Sequence, residues 1–203
     1  MAKGLLFIIS GPSGAGKGTV YNKVVEKRPE IKKSISVTTR APREGEIEGV
    51  HYYFRTIEQY REMIAHGEFL ETAQVYLNCN GTPKAPVFEM LKNGDDVLFE
   101  VDIHGVKSIK SKYPEAIAIF IMPPSFEILE QRLRGRGTDS EESIERRLSQ
   151  SKSELKKYSM FDYIVFNDDV ETAINQVVAI IDAEKCRIKN NLTEITNILD
   201  SKN

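Results

Sequence analysis

The sequence predicts an α/β fold with a parallel-sheet core and crossover helices, and three observations carry that reading. Short apolar runs recur at Leu5-Leu6-Phe7-Ile8-Ile9, Asp96 to Asp102, Ala116 to Met122 and Asp162 to Phe166, separated by helix-like stretches. Strands covered on both faces read as near-continuous apolar runs, and joining them in parallel requires crossovers. The first run leads directly into Gly11-Pro12-Ser13-Gly14-Ala15-Gly16-Lys17-Gly18-Thr19. The second ends in carboxylates, and ligands of such sheets gather at the carboxyl ends of the strands.

Taken in order, the glycine-rich stretch is a phosphate cradle. Glycines at 11, 14 and 16 allow positive φ and a close approach of backbone N–H groups to a polyphosphate, the helix that follows adds a favourable dipole, and Lys17 adds a mobile positive charge. That helix spans 16–27 and is stopped by Arg28-Pro29. Ser34 to Arg40 is β-branched and alternating, Pro42, Gly45 and Gly49 make turns, and Val50-His51-Tyr52-Tyr53-Phe54 is an aromatic strand. Thr56 with Gln59 forms a capping box for a helix to about His66, closed by Gly67, and Phe69 to Asn80 makes two short strands or an irregular hairpin. Pro83 opens a helix carrying Val87, Met90 and Leu91 that stops at Asn93-Gly94.

A helix over about 104–112 precedes the third apolar strand, and Pro123-Pro124-Ser125 caps a helix running to Arg134. Gly135-Arg136-Gly137 breaks it, and Thr138 with Glu141 opens the next, to about Tyr158. The segment 132–147 gathers Arg132, Arg134, Arg136, Arg146 and Arg147. The last helix starts at Val170 with Ala173, Ile174, Val177, Val178 and Ile181 on one face and extends past Cys186; the end, to Asn203, is polar.

The 203 residues suit one domain, which at this size buries about 70% of its unfolded surface. Lys and Arg (28) against Asp and Glu (30) give a net charge of −2, which disfavours a generally basic nucleic-acid binder or a polybasic membrane protein and makes any anion site local. Cys79 and Cys186 lack metal-ligand spacing and no signal peptide precedes them, so reduced thiols in a cytoplasm are expected and the sequon at Asn191 is idle. The first apolar run is too short to span a bilayer.

Position 18 is Gly where the usual phosphate loop has a Ser or Thr that ligates Mg²⁺, with Thr19 one place later. Thr19 reaches the β-phosphate or the metal through water, or the metal is held mostly by water and phosphates, as Mg²⁺ tolerates. Arg40 and Arg43, around Pro42, can present two planar donor forks to one phosphate. A buried carboxylate at Glu71 can accept from both N1–H and the exocyclic amine of guanine, a pair that adenine does not offer, although by itself a glutamate near a strand is usually just solvated.

The motifs Gly11 to Thr19, Ser36-Val37-Thr38-Thr39-Arg40-Ala41-Pro42-Arg43-Glu44-Gly45-Glu46, Gly49-Val50-His51-Tyr52, Gly67-Glu68-Phe69-Leu70-Glu71, Arg134-Gly135-Arg136-Gly137-Thr138 and Asn167-Asp168-Asp169 together resemble guanylate kinase, in one order from about residue 5 to 182. The resemblance implies a P-loop nucleoside monophosphate kinase fold with a core (1–35, 94–126 and 158–190), an acceptor-binding region (36–93), a helical lid (127–157) and a tail (191–203). It implies that Arg40, Arg43 and Tyr52 hold the GMP phosphate, and that Ser36, Glu71, Thr82 and Asp102 read guanine. Lys17 and the loop Gly11, Pro12, Ser13, Gly14, Ala15, Gly16, Gly18 and Thr19 hold the phosphates of ATP. Arg132, Arg136 and Arg147 approach the transferring phosphoryl group, and Asn167 lies near adenine. The expected activity is transfer of the γ-phosphoryl group of ATP to GMP, or dGMP, with Mg²⁺ as cofactor and no nucleic acid or membrane as partner. The Gly18 variant resembles some members of the family.

One departure stands out. The family usually has Gly-Asn-Tyr-Tyr-Gly where this chain has Leu77-Asn78-Cys79-Asn80-Gly81. Asn80 replaces a tyrosine that would bond the GMP phosphate, and weaker GMP binding is the expectation. Cys79 reads as a small buried filler. Two alternatives from other classes are a non-catalytic, phosphopeptide-binding module of guanylate-kinase type and a P-loop kinase with a different acceptor.

Overall fold

The computed structural model describes residues 3–75, 78–135 and 140–201. Its centre is β1 (Leu6–Ser10), wholly buried because alternate side chains enter two different cores. It lies between β7 (Val97–Glu100) and β8 (Ile117–Met122) in a five-stranded sheet completed by β2 (Lys32–Lys33) beside β7 and β9 (Tyr163–Phe166) beside β8, all parallel. Phe7 and Ile9 face α1 (Lys17–Lys27) and α7 (Val170–Lys185), meeting Val20, Val24, Ala173, Ile174 and Val177. Leu6 and Ile8 face α3 (Lys84–Lys92) and α4 (Ile103–Lys112), meeting Val87, Leu91, Val106 and Ile109. Each such side chain contributes about 1.5–3 kcal/mol by burial, so the strand that ends in the glycine loop is the most firmly held part of the chain.

A second sheet, ordered β4-β3-β6-β5, is formed by β3 (Val37–Thr38), β4 (Tyr53–Phe54), β5 (Phe69–Val75) and β6 (Asn78–Pro83). Its own small core is Val37, Tyr60 and Phe69, under α2 (Ile57–Ala65). The Thr56–Gln59 capping box of α2 is present in full. The remaining helices are α5 (Phe126–Arg134), α6 (Glu141–Leu155) and α8 (Leu192–Asp200).

Four boundaries differ from the sequence reading. The strand expected from Ser34 to Arg40 is reduced to β3, and β2 forms just before it in the other sheet, because the chain leaves one sheet and enters the other between them. The aromatic strand is reduced to Tyr53–Phe54, since Gly49 at φ 74° and the bonds from Val50 N and His51 N to Ile47 O make a turn of its first half. Helix α6 starts behind Ser140, whose Oγ accepts from Ser143 N, and stops at Leu155; Thr138, the expected cap, lies outside the described residues. Helix α7 ends at Lys185, and the polar tail contains α8, whose Leu192, Ile195, Ile198 and Leu199 are exposed.

Candidate active site

The glycine loop closes over the end of β1 and is pinned from outside. Gly16, at φ 83°, caps α1, and a β-carbon there would stand 2.4 Å from Asn167 Nδ2. Asn167, buried after β9, donates from Nδ2 to Ala15 O at 2.8 Å, Ser151 of α6 donates to Ser13 O at 3.4 Å, and Arg132 NH2 donates to Asn167 O at 3.0 Å. The loop's backbone is therefore held by contacts from α6 and the end of β9, and it leads into the N-terminus of α1, where a helix leaves backbone amides without intrahelical partners.

Two clefts flank it. One, of about 490 Å³, is lined by Gly14, Gly16, Thr19, Arg132 and Asn167 to Val170. Arg132 lines this cleft, and its NH1 is buried without a partner. Asn167 lines the same cleft, but its amide is already spent on the loop, which makes it a buttress as well as a wall. The other cavity, of about 180 Å³, is lined by Tyr21, Ser34, Ser36, Thr82 and Leu98 to Val101. It joins the loop side, through Glu100, to the small sheet, through Ser36 and Thr82.

Glu100 was not singled out from the sequence. A β-carbon on Gly18 would sit 3.4 Å from Glu100 Oε2 and 3.5 Å from Oε1, so this carboxylate occupies the flank where the usual loop hydroxyl would point. Partial desolvation between the strand ends raises its carboxyl above the ordinary value, and Lys17 opposes that. Its signal was only a carboxylate at the end of the strand adjacent to β1, and Asp102, two residues on, shared it. Ser34 was likewise missed: its Oγ is buried without a partner beside the smaller cavity. Among the described residues no three His, Cys, Asp or Glu side chains form a metal cage.

On the small sheet, Glu71 is 7% exposed and accepts from Thr82 Oγ1 at 2.6 Å. Burial raises its carboxyl above the usual range; the Thr82 bond and Lys112 act against that, and Asp102 reinforces it. Asp102 caps α4, its Oδ1 accepting from Gly105 N at 2.7 Å. The expected guanine readers Glu71, Thr82 and Asp102 are thus close enough to act on one another, and Ser36 shares the cavity wall with Thr82.

The expected phosphate holders are partly engaged with one another. Arg40 donates NH2 to Glu46 Oε1 at 2.8 Å and NH1 to Oε2 at 3.0 Å, and its guanidinium lies 5.5 Å from the Tyr52 ring centroid. The Arg40 fork and the Arg43 amide bonded to Glu46 hold that carboxyl down at about 2. The Arg43 side chain is exposed on the same turn. Asn80 has its Oδ1 buried without a partner, while its main-chain O accepts from Tyr60 OH at 2.7 Å. Cys79 is half-buried against the small core, as a filler would be.

Of the arginine cluster, Arg134 is tied between α5 and α6 by Glu130 and Glu141 at 2.8 and 2.6 Å. Arg147 is half-buried on α6, and Arg136 lies outside the described residues.

A family model described as guanylate kinase matches residues 3–184. A guanylate kinase of Carboxydothermus hydrogenoformans is 51% identical over 189 residues, covering 93% of each chain. One from Clostridioides difficile is 47% identical over 98% of this chain and 96% of that one. The crystal structure of guanylate kinase from Anaplasma phagocytophilum superposes with a TM-score of 0.73 at 32% identity, covering 97% of this chain and 95% of that one.

Proposed function

The chain belongs to the guanylate kinase family, and from that premise we propose how its residues divide the work. The enzyme transfers the γ-phosphoryl group of ATP to GMP, giving ADP and GDP. The observation that carries the assignment of sites is the shared cavity: Thr82, bonded to the buried Glu71, lines one side of it and Glu100, beside the phosphate loop, lines another. Base recognition and the phosphate cradle thereby converge on one space.

In this reading Glu71, ionised, accepts from N1–H and the exocyclic amine of guanine, with Thr82, Ser36 and Asp102 around it. Arg40, Arg43, Tyr52 and Asn80 hold the acceptor phosphate. Arg40 must exchange Glu46 for the phosphate, a swap of one bidentate anion for another. Lys17 and the loop amides hold the donor phosphates, Arg132 offers its unpartnered NH1 to them, and Arg136 and Arg147 belong to the same lid, 127–157, that closes over the small-sheet region, 36–93. Asn167 holds the loop against which the adenosine side of ATP rests. The acceptor phosphate is already ionised and needs no strong base, so catalysis is positioning and neutralisation of charge.

Mg²⁺ is the proposed cofactor. The fit is to Glu100 and to the nucleotide's own phosphates rather than to a protein cage: Glu100 lies beside Gly18, whereas Thr19 lines the other cleft. Bound there, the ion would supply charge neutralisation, with several of its waters retained. Work on free nucleotides in the cytoplasm, without nucleic acid, is the matching cellular setting; among the described residues no helix is long and apolar enough to cross a membrane.

The test is a coupled assay with ATP and Mg²⁺ across GMP, dGMP, AMP, CMP and UMP. Turnover is expected with the two guanine acceptors. Turnover on a non-guanine acceptor in preference to GMP would overturn the base assignment, and none at all would restore the phosphopeptide-module alternative.

A further inference from the structure

The pairing of β5 with β6 slips at one residue: Phe69 stands opposite Pro83 and Glu71 opposite Thr82, leaving Leu70 as an extra residue. Such a bulge bends a strand and re-aims the side chains next to it. Here Leu70 turns into the main core with Val106 and Ile109, and Glu71 is set beside Thr82. The carbonyls at the bulge need partners from elsewhere. Helix α4 supplies them. Lys112 Nζ donates to Phe69 O at 2.8 Å and to Leu70 O at 2.9 Å, and Ser108 Oγ donates to Leu70 O at 2.8 Å. Lys112 Nζ also reaches Ser108 Oγ at 3.3 Å, so all three ammonium donors are used although the residue as a whole lies at the surface.

The same helix begins at Asp102. Asp102, one of the proposed base readers, thus caps one end of a ten-residue helix whose last residue, Lys112, holds the strand bearing Glu71, the other. We propose that Lys112, seconded by Ser108, is a positioning residue for guanine recognition: by holding the bulge at Leu70 it sets where Glu71 stands relative to Asp102. This rests on the reading of Glu71 as the guanine acceptor. A carboxylate that must take two hydrogen bonds from one base edge tolerates little displacement, and a site built for two donors discriminates against an acceptor that has lost one.

The experiment is steady-state kinetics of the full chain, with Lys112→Met, Ser108→Ala and Glu71→Gln singly and Lys112→Met combined with Glu71→Gln, using GMP and inosine monophosphate, which lacks the exocyclic amine. For Lys112→Met the expected result is a GMP KM raised about tenfold, the scale of one charge-assisted hydrogen bond, with kcat and the ATP KM within about twofold. The preference for GMP over inosine monophosphate should shrink in parallel. In the Glu71→Gln background Lys112→Met should add little, because both act through one contact. Lys112→Arg, which keeps donors over the bulge, should recover part of the loss. A GMP KM unmoved by Lys112→Met, or GMP and ATP KM values raised together, overturns the proposal. Should Lys112→Met fail to fold, Ser108→Ala decides: a rise of about threefold in the GMP KM alone supports the clamp, and none overturns it. An unchanged GMP KM in Glu71→Gln overturns the base reading itself; a large change there with none in Lys112→Met overturns only the clamp.

Discussion

At the glycine loop the groups proposed to meet the donor phosphates are backbone amides, in a loop held by Asn167, Ser151 and the cap of α1 in a shape that glycine permits. On the small sheet they are side chains, and several already hold one another: Arg40 is forked onto Glu46, and Glu71 is bonded to Thr82. The first region is preformed and has little to give up when a nucleotide binds. The second must exchange internal partners for those of the substrate, and it rests on a small core of its own, with two of its strands only two residues long. Substitutions and pH should therefore act on acceptor affinity through partner exchange, while the donor side should answer to changes in the loop, its lysine, Arg132 and Glu100.

The largest effect tests the donor half. Lys17→Ala removes the one mobile charge of a cradle otherwise made of amides, and kcat should fall by about 10³-fold or more with the Tm within a few degrees of the parent. Activity near the parent's in a folded Lys17→Ala protein would break the comparison at its root.

Acidification should act next on the acceptor half. Burial raises the Glu71 carboxyl above 4.5, and the proposed guanine contact needs it ionised. As pH falls from neutral through that raised value, the GMP KM should climb through Glu71, while any change in the ATP KM follows Glu100, whose carboxyl burial also raises. The folding contribution of the same group has the opposite sense: with a folded pKa above the unfolded one, it is fully present below about 4.5 and is lost as pH rises through the folded value. Glu71→Gln should flatten the pH dependence of the GMP KM. An acid rise in the GMP KM that persists in Glu71→Gln would show that Glu71 is not the group responsible.

A smaller effect is expected at Asn80, whose Oδ1 is buried without a partner on the acceptor side. Asn80→Tyr supplies the longer donor the family usually has there, and the GMP KM should fall about three- to tenfold, as one added hydrogen bond allows. An unchanged or higher KM would mean that the shorter amide already serves the phosphate.

The contrast between the regions also explains what was legible in the sequence. The loop, its strand and its helix were readable because their residues are contiguous and their chemistry is local. Glu71 and Arg40 were readable through motifs, but the Glu46 fork that occupies Arg40 was not, since its form depends on how the Pro42–Gly45 turn folds back. Glu100 stayed hidden because its importance comes from β7 lying beside β1, a neighbour relation that no local pattern states. Lys112 stayed hidden for the same reason, acting across 42 and 43 residues of chain. Helix α8 had a signal, Leu192, Ile195 and Leu199 at helical spacing, that the polar composition of the tail masked.

The smallest prediction sits inside the preformed region, where two glycines two residues apart should behave in opposite ways. Gly16 needs its positive φ, and a β-carbon there would press on the amide that holds the loop. Gly18 lies inside α1 without a positive φ, and its β-carbon would meet Glu100 at 3.4 Å, an ordinary contact. Gly18→Ala should stabilise the fold by about 0.5 kcal/mol through a less flexible unfolded chain. That corresponds to a Tm rise of about 1–2 °C for a domain of this size, readable by calorimetry. Because no hydroxyl is lost, kcat should stay within about twofold if the metal relies on Glu100 and the nucleotide rather than on position 18. A fall in Tm would mean that the flank of Gly18 is more crowded than a 3.4 Å contact implies, and that glycine there is required by space.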